Sequence, residues 1–113
     1  MYESIHKYFQ VGALQWMSFP NSRPIDSLYN LATDDFFDVV EVSGYTSEAE
    51  KEQAQKILRQ SHMKVCYGAQ PKQLSLALNP NAIDEDERCR AEEELIRCIE
   101  EAHDLGADGI SFL

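Results

Sequence analysis

Stretches with strand character and stretches with helical spacing take turns along this chain, and that alternation limits its fold more than any other feature. Strands are expected over residues 9–14, 38–43, 63–68 and 108–113. The first, Phe9-Gln10-Val11-Gly12-Ala13-Leu14, is short and is entered from a polar leader. The second, Asp38-Val39-Val40-Glu41-Val42-Ser43, is rich in β-branched residues and is followed by Gly44. Between the strands, apolar residues recur at helical intervals. Pro24 suits a first helical position, and Ile25, Leu28, Leu31 and Ala32 follow it on one face. A second helix is expected over 47–60, opened by a Ser47-x-x-Glu50 capping box, with Ala54, Ile57, Leu58 and Ser61 on its inner face. A third opens at Asp84-x-x-Glu87 and carries Ala91, Leu95, Cys98, Ile99, Ala102 and Leu105 on one stripe, with Gly106 as its stop. Residues 69–83, with Pro71 and Pro80, read as a long loop.

The order β-α-β-α-β-α-β specifies a parallel sheet with right-handed crossovers. Two architectures use it: an open doubly wound sheet and a closed (β/α)8 barrel. No Gly-x-Gly-x-x-Gly follows the first strand, so the usual dinucleotide-binding turn is missing. The repeated unit of short strand, loop and helix leans toward the barrel. The expected fold class is therefore α/β, a βαβαβαβ half of a (β/α)8 TIM barrel, with residues 1–113 forming one partial domain. Such a half leaves one sheet face bare, the face that a full barrel packs with side chains from all eight strands. The sequence stops on apolar Phe112-Leu113 inside the expected fourth strand. It is thus expected to be a truncated polypeptide, or one that completes its barrel as a homodimer.

Charge narrows the partners. Twenty acidic residues against ten Lys and Arg give a net charge of −10, which disfavours nucleic acid and anionic membrane alike. Nine acids and three arginines lie between Asp84 and Glu101, read as a solvated helix face. There is no apolar run of membrane-spanning length and no secretory leader at Met1-Tyr2-Glu3, so the expected location is cytoplasmic. Cys66, Cys89 and Cys98 form no disulfide framework, and the nine-residue spacing of the last two places them on opposite sides of a helix.

Several motifs carry a family resemblance. Phe37-Asp38-Val39-Val40-Glu41-Val42 resembles the second strand of the xylose-isomerase-like barrels, which include sugar-phosphate isomerases and epimerases. Leu76-Ala77-Leu78-Asn79-Pro80, followed by Asp84-Glu85 and Arg88, resembles their third strand-to-helix loop. Glu94-Leu95-Ile96-Arg97-Cys98-Ile99-Glu100-Glu101-Ala102 is similar to the next helix, and Leu105-Gly106-Ala107-Asp108-Gly109-Ile110 to the turn into the fourth strand. The resemblance runs over residues 9–113. It implies a divalent metal (Mn, Mg, Co or Zn) that orders two sugar oxygens while paired glutamates move a proton. In that family the metal carboxylates and histidine sit on strands five to eight, so no metal ligand and no catalytic base is carried over to this chain. The related zinc-dependent apurinic-site endonucleases fit less well, because Gln70 stands near where they place a histidine.

Barrel chemistry gathers at the C-terminal ends of strands. Glu41 is the first substrate-binding candidate, as a carboxylate for a sugar hydroxyl; its ordinary reading is a carboxylate satisfied by neighbouring backbone or Lys. Trp16 could wall a sugar ring, or simply pack between loops. Gln70 could bond a hydroxyl. Tyr67 is weaker, since it could point into the helices, and Asn79 reads more simply as an Asn-Pro turn than as part of a lid. His6, His62 and His103 are explained by a polar leader and helix ends, and Glu100-x-x-His103 lacks the bundle a di-iron site requires.

The expected function is the N-terminal half of a metal-dependent sugar or sugar-phosphate isomerase or epimerase, inactive as this isolated chain. The alternative is a non-catalytic, self-associating half-barrel that acts as an interaction or scaffold protein. A hydrolase on the same barrel stays open.

Overall fold

The computed structural model describes residues 3–113. A 3-10 turn, Ile5–Lys7, leads to β1 (Gly12–Leu14), α1 (Gln15–Ser18), α2 (Pro24–Ala32), β2 (Val39–Val42), α3 (Glu48–Ser61), β3 (Lys64–Gly68), α4 (Gln70–Ser75), α5 (Glu85–Asp104) and β4 (Gly109–Ser111). The strands form one all-parallel sheet in the order β1-β2-β3-β4. Among the described residues no helix is long and apolar enough to cross a membrane.

Alternation along the strands separates two faces. Val40, Val42, Val65 and Tyr67 are buried against the helices, while Gly12, Leu14, Val39, Glu41, Lys64 and Cys66 lie on the other side, half-buried or exposed. The core joins the first set to Leu28 and Leu31 of α2, Ala54 and Leu58 of α3, and Cys98 and Ala102 of α5. Each fully buried aliphatic side chain here contributes about 1.5–3 kcal/mol.

Local chemistry sets the element ends. Ser47 Oγ accepts the Glu50 N–H at 3.2 Å, as expected, but Glu50 returns to Thr46, taking both its N–H and its hydroxyl, rather than to Ser47. Asp84 caps α5 by accepting the Glu87 N–H at 2.9 Å. At the far end Gly106 adopts φ +74°, and the bonds Gly106 N–H to His103 C=O and Ala107 N–H to Ala102 C=O close the helix. That backbone conformation is strained for any residue with a Cβ, which accounts for glycine there.

Three expectations need correction. The first strand covers Gly12–Leu14, not 9–14: Val11 meets only the start of β2, where its C=O accepts from Asp38 and Val39, and Phe9 lies in solvent. The fourth covers Gly109–Ser111, not 108–113. Residues 69–83 are not all loop, because α4 starts two residues after β3. Pro71 is tolerated in its first turn, where a missing N–H costs no helical bond. Two side chains of α4 hold β4. Gln70 Nε2 donates to Ser111 Oγ at 2.9 Å. The Gln73 amide accepts the Leu113 N–H at 2.7 Å and donates to its C=O at 3.3 Å, as a neighbouring strand would.

The stripe of α5 is buried at Ala91, Cys98, Ala102 and Leu105, but Ile99 is exposed. Of the acids between 84 and 101, all but Glu94 and Glu101 are exposed. Glu94 pairs with Lys72 of α4 at 2.9 Å, and Lys72, then Arg97, holds its carboxyl below the usual range. Glu101 accepts from the Tyr67 hydroxyl at 2.7 Å and from the Tyr45 N–H at 3.2 Å, tying α5 to β3 and to the turn after β2. His6 of the leader bonds Asp38 at 2.8 Å and stands edge-on to Phe36.

Candidate functional site

All four strands end at the same edge of the sheet, because the sheet is parallel and the register is in step: Leu14 lies beside Glu41, Glu41 beside Cys66, Cys66 beside Gly109 and Gly68 beside Ser111. Glu41 is on the open face, two residues along from Val39. Trp16 is carried there by α1, a single turn directly after β1. Gln15 fixes that turn: it is buried and donates through Nε2 to the Pro24 C=O at 2.9 Å. Gln70 opens α4 directly after β3.

The three converge on Gly68. A Cβ built at that position would lie 2.6 Å from Glu41 Oε1 and 2.9 Å from Gln70 Oε1, and would overlap the edge of the Trp16 indole. A side chain at this position would have to push the ends of all three aside. Ser111, at the end of β4, links two of them: it accepts from Gln70 Nε2 at 2.9 Å and donates to Glu41 Oε1 at 3.2 Å. Gln70 is thereby oriented, and through Ser111 it orients Glu41. Its own Oε1 is buried without a hydrogen-bond partner. An unpaired buried acceptor costs about 1–3 kcal/mol.

Two shallow depressions flank the cluster. One, of about 180 Å³, runs past Trp16 between Phe19, Asn21 and the Ser43-Gly44 turn. The other, of about 250 Å³, lies on the open sheet face over Leu14, Val39, Glu41 and Cys66. Each is smaller than the usual pocket for a small molecule. A larger depression of about 530 Å³ lies between the Ser43–Thr46 turn and α4, but its cation, Lys72, is already paired with Glu94.

Glu41, Trp16 and Gln70, singled out in the sequence, therefore share one cluster. Tyr67 does not join it. Its side chain points into the helices, and burial, reinforced by Glu101, pushes its phenol up so that it stays a neutral donor. Asn79 also stands apart, its Oδ1 accepting the Asn81 N–H at 2.9 Å in a turn. Sequence reasoning missed Ser111 and Gly68. A glycine closing a strand was the available signal for the second; nothing local marks the first.

The resemblance implies a divalent ion, which needs several carboxylate or imidazole donors together. Among the described residues no three of His, Cys, Asp and Glu gather into a metal-binding group, and the cluster offers one carboxylate. The donor set of these residues does not by itself make a site for the ion.

No protein-family model matches the chain, and no curated protein matches it.

Proposed function

We propose that this chain is the N-terminal half of a xylose-isomerase-like (β/α)8 barrel, a sugar or sugar-phosphate isomerase or epimerase, and that it supplies part of the substrate wall. The observation that carries this reading is the convergence of Glu41, Trp16 and Gln70 on Gly68 at the C-terminal edge of the sheet. An indole edge, a carboxylate and an amide side by side suit a ring bearing hydroxyls. The strand order supports the barrel: a doubly wound sheet reverses direction at a switch point, whereas these strands advance in one direction. The donors that would hold a divalent cation belong, in this reading, to the other half of the barrel. The chain by itself binds and does not turn over.

Trp16 is the sole tryptophan, so its emission reports directly on the cluster. Titration of the full chain with ketoses, aldoses and their phosphates is expected to give a saturable change for at least one, lost in Glu41→Ala and in Gln70→Ala. Folded protein that answers to none of them would end the proposal.

A second reading, a half-barrel that closes by self-association, draws on the open face, where Leu14 is 37% exposed and Val39 is half-buried. It ranks lower on charge. A two-fold axis along the barrel would set Glu41 facing Glu41 and Lys64 facing Lys64 across one interior.

A further inference from the structure

Proteins hold phosphate mainly with Lys and Arg and with the free amides of helix N-termini. The strand-end side of this chain has neither to spare. Residues 15–23, 43–47, 69–84 and 112–113 follow β1, β2, β3 and β4. Those segments contain two cations, Arg23 and Lys72. Arg23 is closed on Asp26 by two bonds, at 2.8 and 3.0 Å. Lys72 is turned to Glu94 at 2.9 Å. The helix starts on this side are taken as well. The first turn of α2 carries Asp26, that of α3 Glu48 and Glu50, and that of α5 Glu85, Asp86 and Glu87. These carboxylates already answer the dipole that would draw an external anion. The short α4 has no acid in its first turn, but its one cation is the same Lys72.

The cluster over Gly68 points the same way. Glu41 is its one charged group, and among the described residues no Lys, Arg or His pairs with it. Lys64 shares the open face but stands at the start of β3, about 13 Å from Gly68 by the rise of the strand. Ser111 spends its hydroxyl proton on Glu41, so the cluster's spare capacity is for accepting. We infer that Glu41 is a specificity-determining residue: the cluster takes an uncharged, hydroxyl-bearing part of a sugar and turns a phosphate ester away. This rests on the sugar reading of the cluster and narrows it. A hydroxyl donates to the carboxylate. A phosphate in the same place brings up to two further negative charges beside it, with no cation to offset them. A sugar phosphate therefore enters only with its ester end directed off the cluster.

The test follows Trp16 emission in the full chain. The probes are ribulose, xylulose, fructose and glucose, each beside its two terminal monophosphates. For a sugar that binds, neither ester should bind more tightly than the parent, and one of the two should bind at least ~10-fold more weakly. Added salt should narrow that gap, because it screens like charges. Glu41→Gln, which keeps the shape and an acceptor, should narrow it too. Should that variant fail to fold, the wild-type gap and its response to salt still decide. An ester that binds ~10-fold more tightly than its parent, and loosens in salt, would overturn the inference and leave the sugar reading standing. Equal binding of a sugar and both its esters would do the same. A gap that neither salt nor Glu41→Gln moves would assign the exclusion to shape instead of charge, and would overturn it as well. Silence from every probe would remove the sugar reading and this inference with it.

Discussion

The same four strands present two faces with opposite character. Toward the helices, Val40, Val42, Val65 and Tyr67 are shut in, and the polar group among them, the Tyr67 hydroxyl, is satisfied by Glu101. On the other side, Leu14, Glu41, Cys66 and Ser111 are half open, and the amide beside them keeps an acceptor without a partner. One residue of alternation is all that separates them. The contrast is one of packing: the helices close one face over the core, where the Tyr45 hydroxyl also goes unpaired, and leave the other half open.

Three experiments can break or sharpen that contrast. The largest effect is expected in thiol chemistry, because each face carries one cysteine. In a Cys89→Ser background, Cys66 should label with a maleimide in the native state. Cys98 is 1% exposed and its thiol is pushed up by burial, so it should label only through opening, slower by ~10³-fold or more. Comparable rates would mean that the covered face is not closed in solution. Next come core truncations followed by urea unfolding. Leu28→Ala, at a fully buried position, should cost about 2–5 kcal/mol, and Leu14→Ala on the open face less than ~1 kcal/mol. Similar costs would show that the open face is already packed against something. An effect between those of Leu28→Ala and Leu14→Ala belongs to Gly68→Ala, which forces a methyl group among the ends of Glu41, Gln70 and Trp16. It should cost about 1–3 kcal/mol and shift the Trp16 emission. A variant with wild-type stability and spectrum would separate Trp16 from the cluster.

Much of this arrangement is legible in the sequence wherever the signal is periodic or local. The β-branched run around Val39–Val42 gives its strand, the capping residues Ser47 and Asp84 give the starts of α3 and α5, and the glycine at 106 gives a helix end. What escapes reading is short or distant. The helices α1 and α4 span four and six residues, too few for a periodic pattern, and the proline in α4 looks like a loop marker. Ile99 satisfies the α5 stripe yet faces outward, since periodicity shows that a face is apolar and not what covers it. Glu41, Trp16 and Gln70 could be picked out because the barrel-like winding says which ends of the strands matter. Ser111 could not, because its role depends on Glu41, seventy residues away in sequence.

The amide of Gln73 is set against the backbone of Leu113 as if it were one more peptide unit, so the fit depends on its carrying both a donor and an acceptor. Hydrolysis of that amide, taking up one water and releasing ammonia, would exchange the nitrogen for an oxygen and leave the shape almost unchanged. The donor to the Leu113 carbonyl would become a negatively charged acceptor facing another acceptor. The 3.3 Å bond to the Leu113 oxygen would be lost while the 2.7 Å bond from the Leu113 N–H would stay, so the clasp on the strand's exit would pass from two bonds to one.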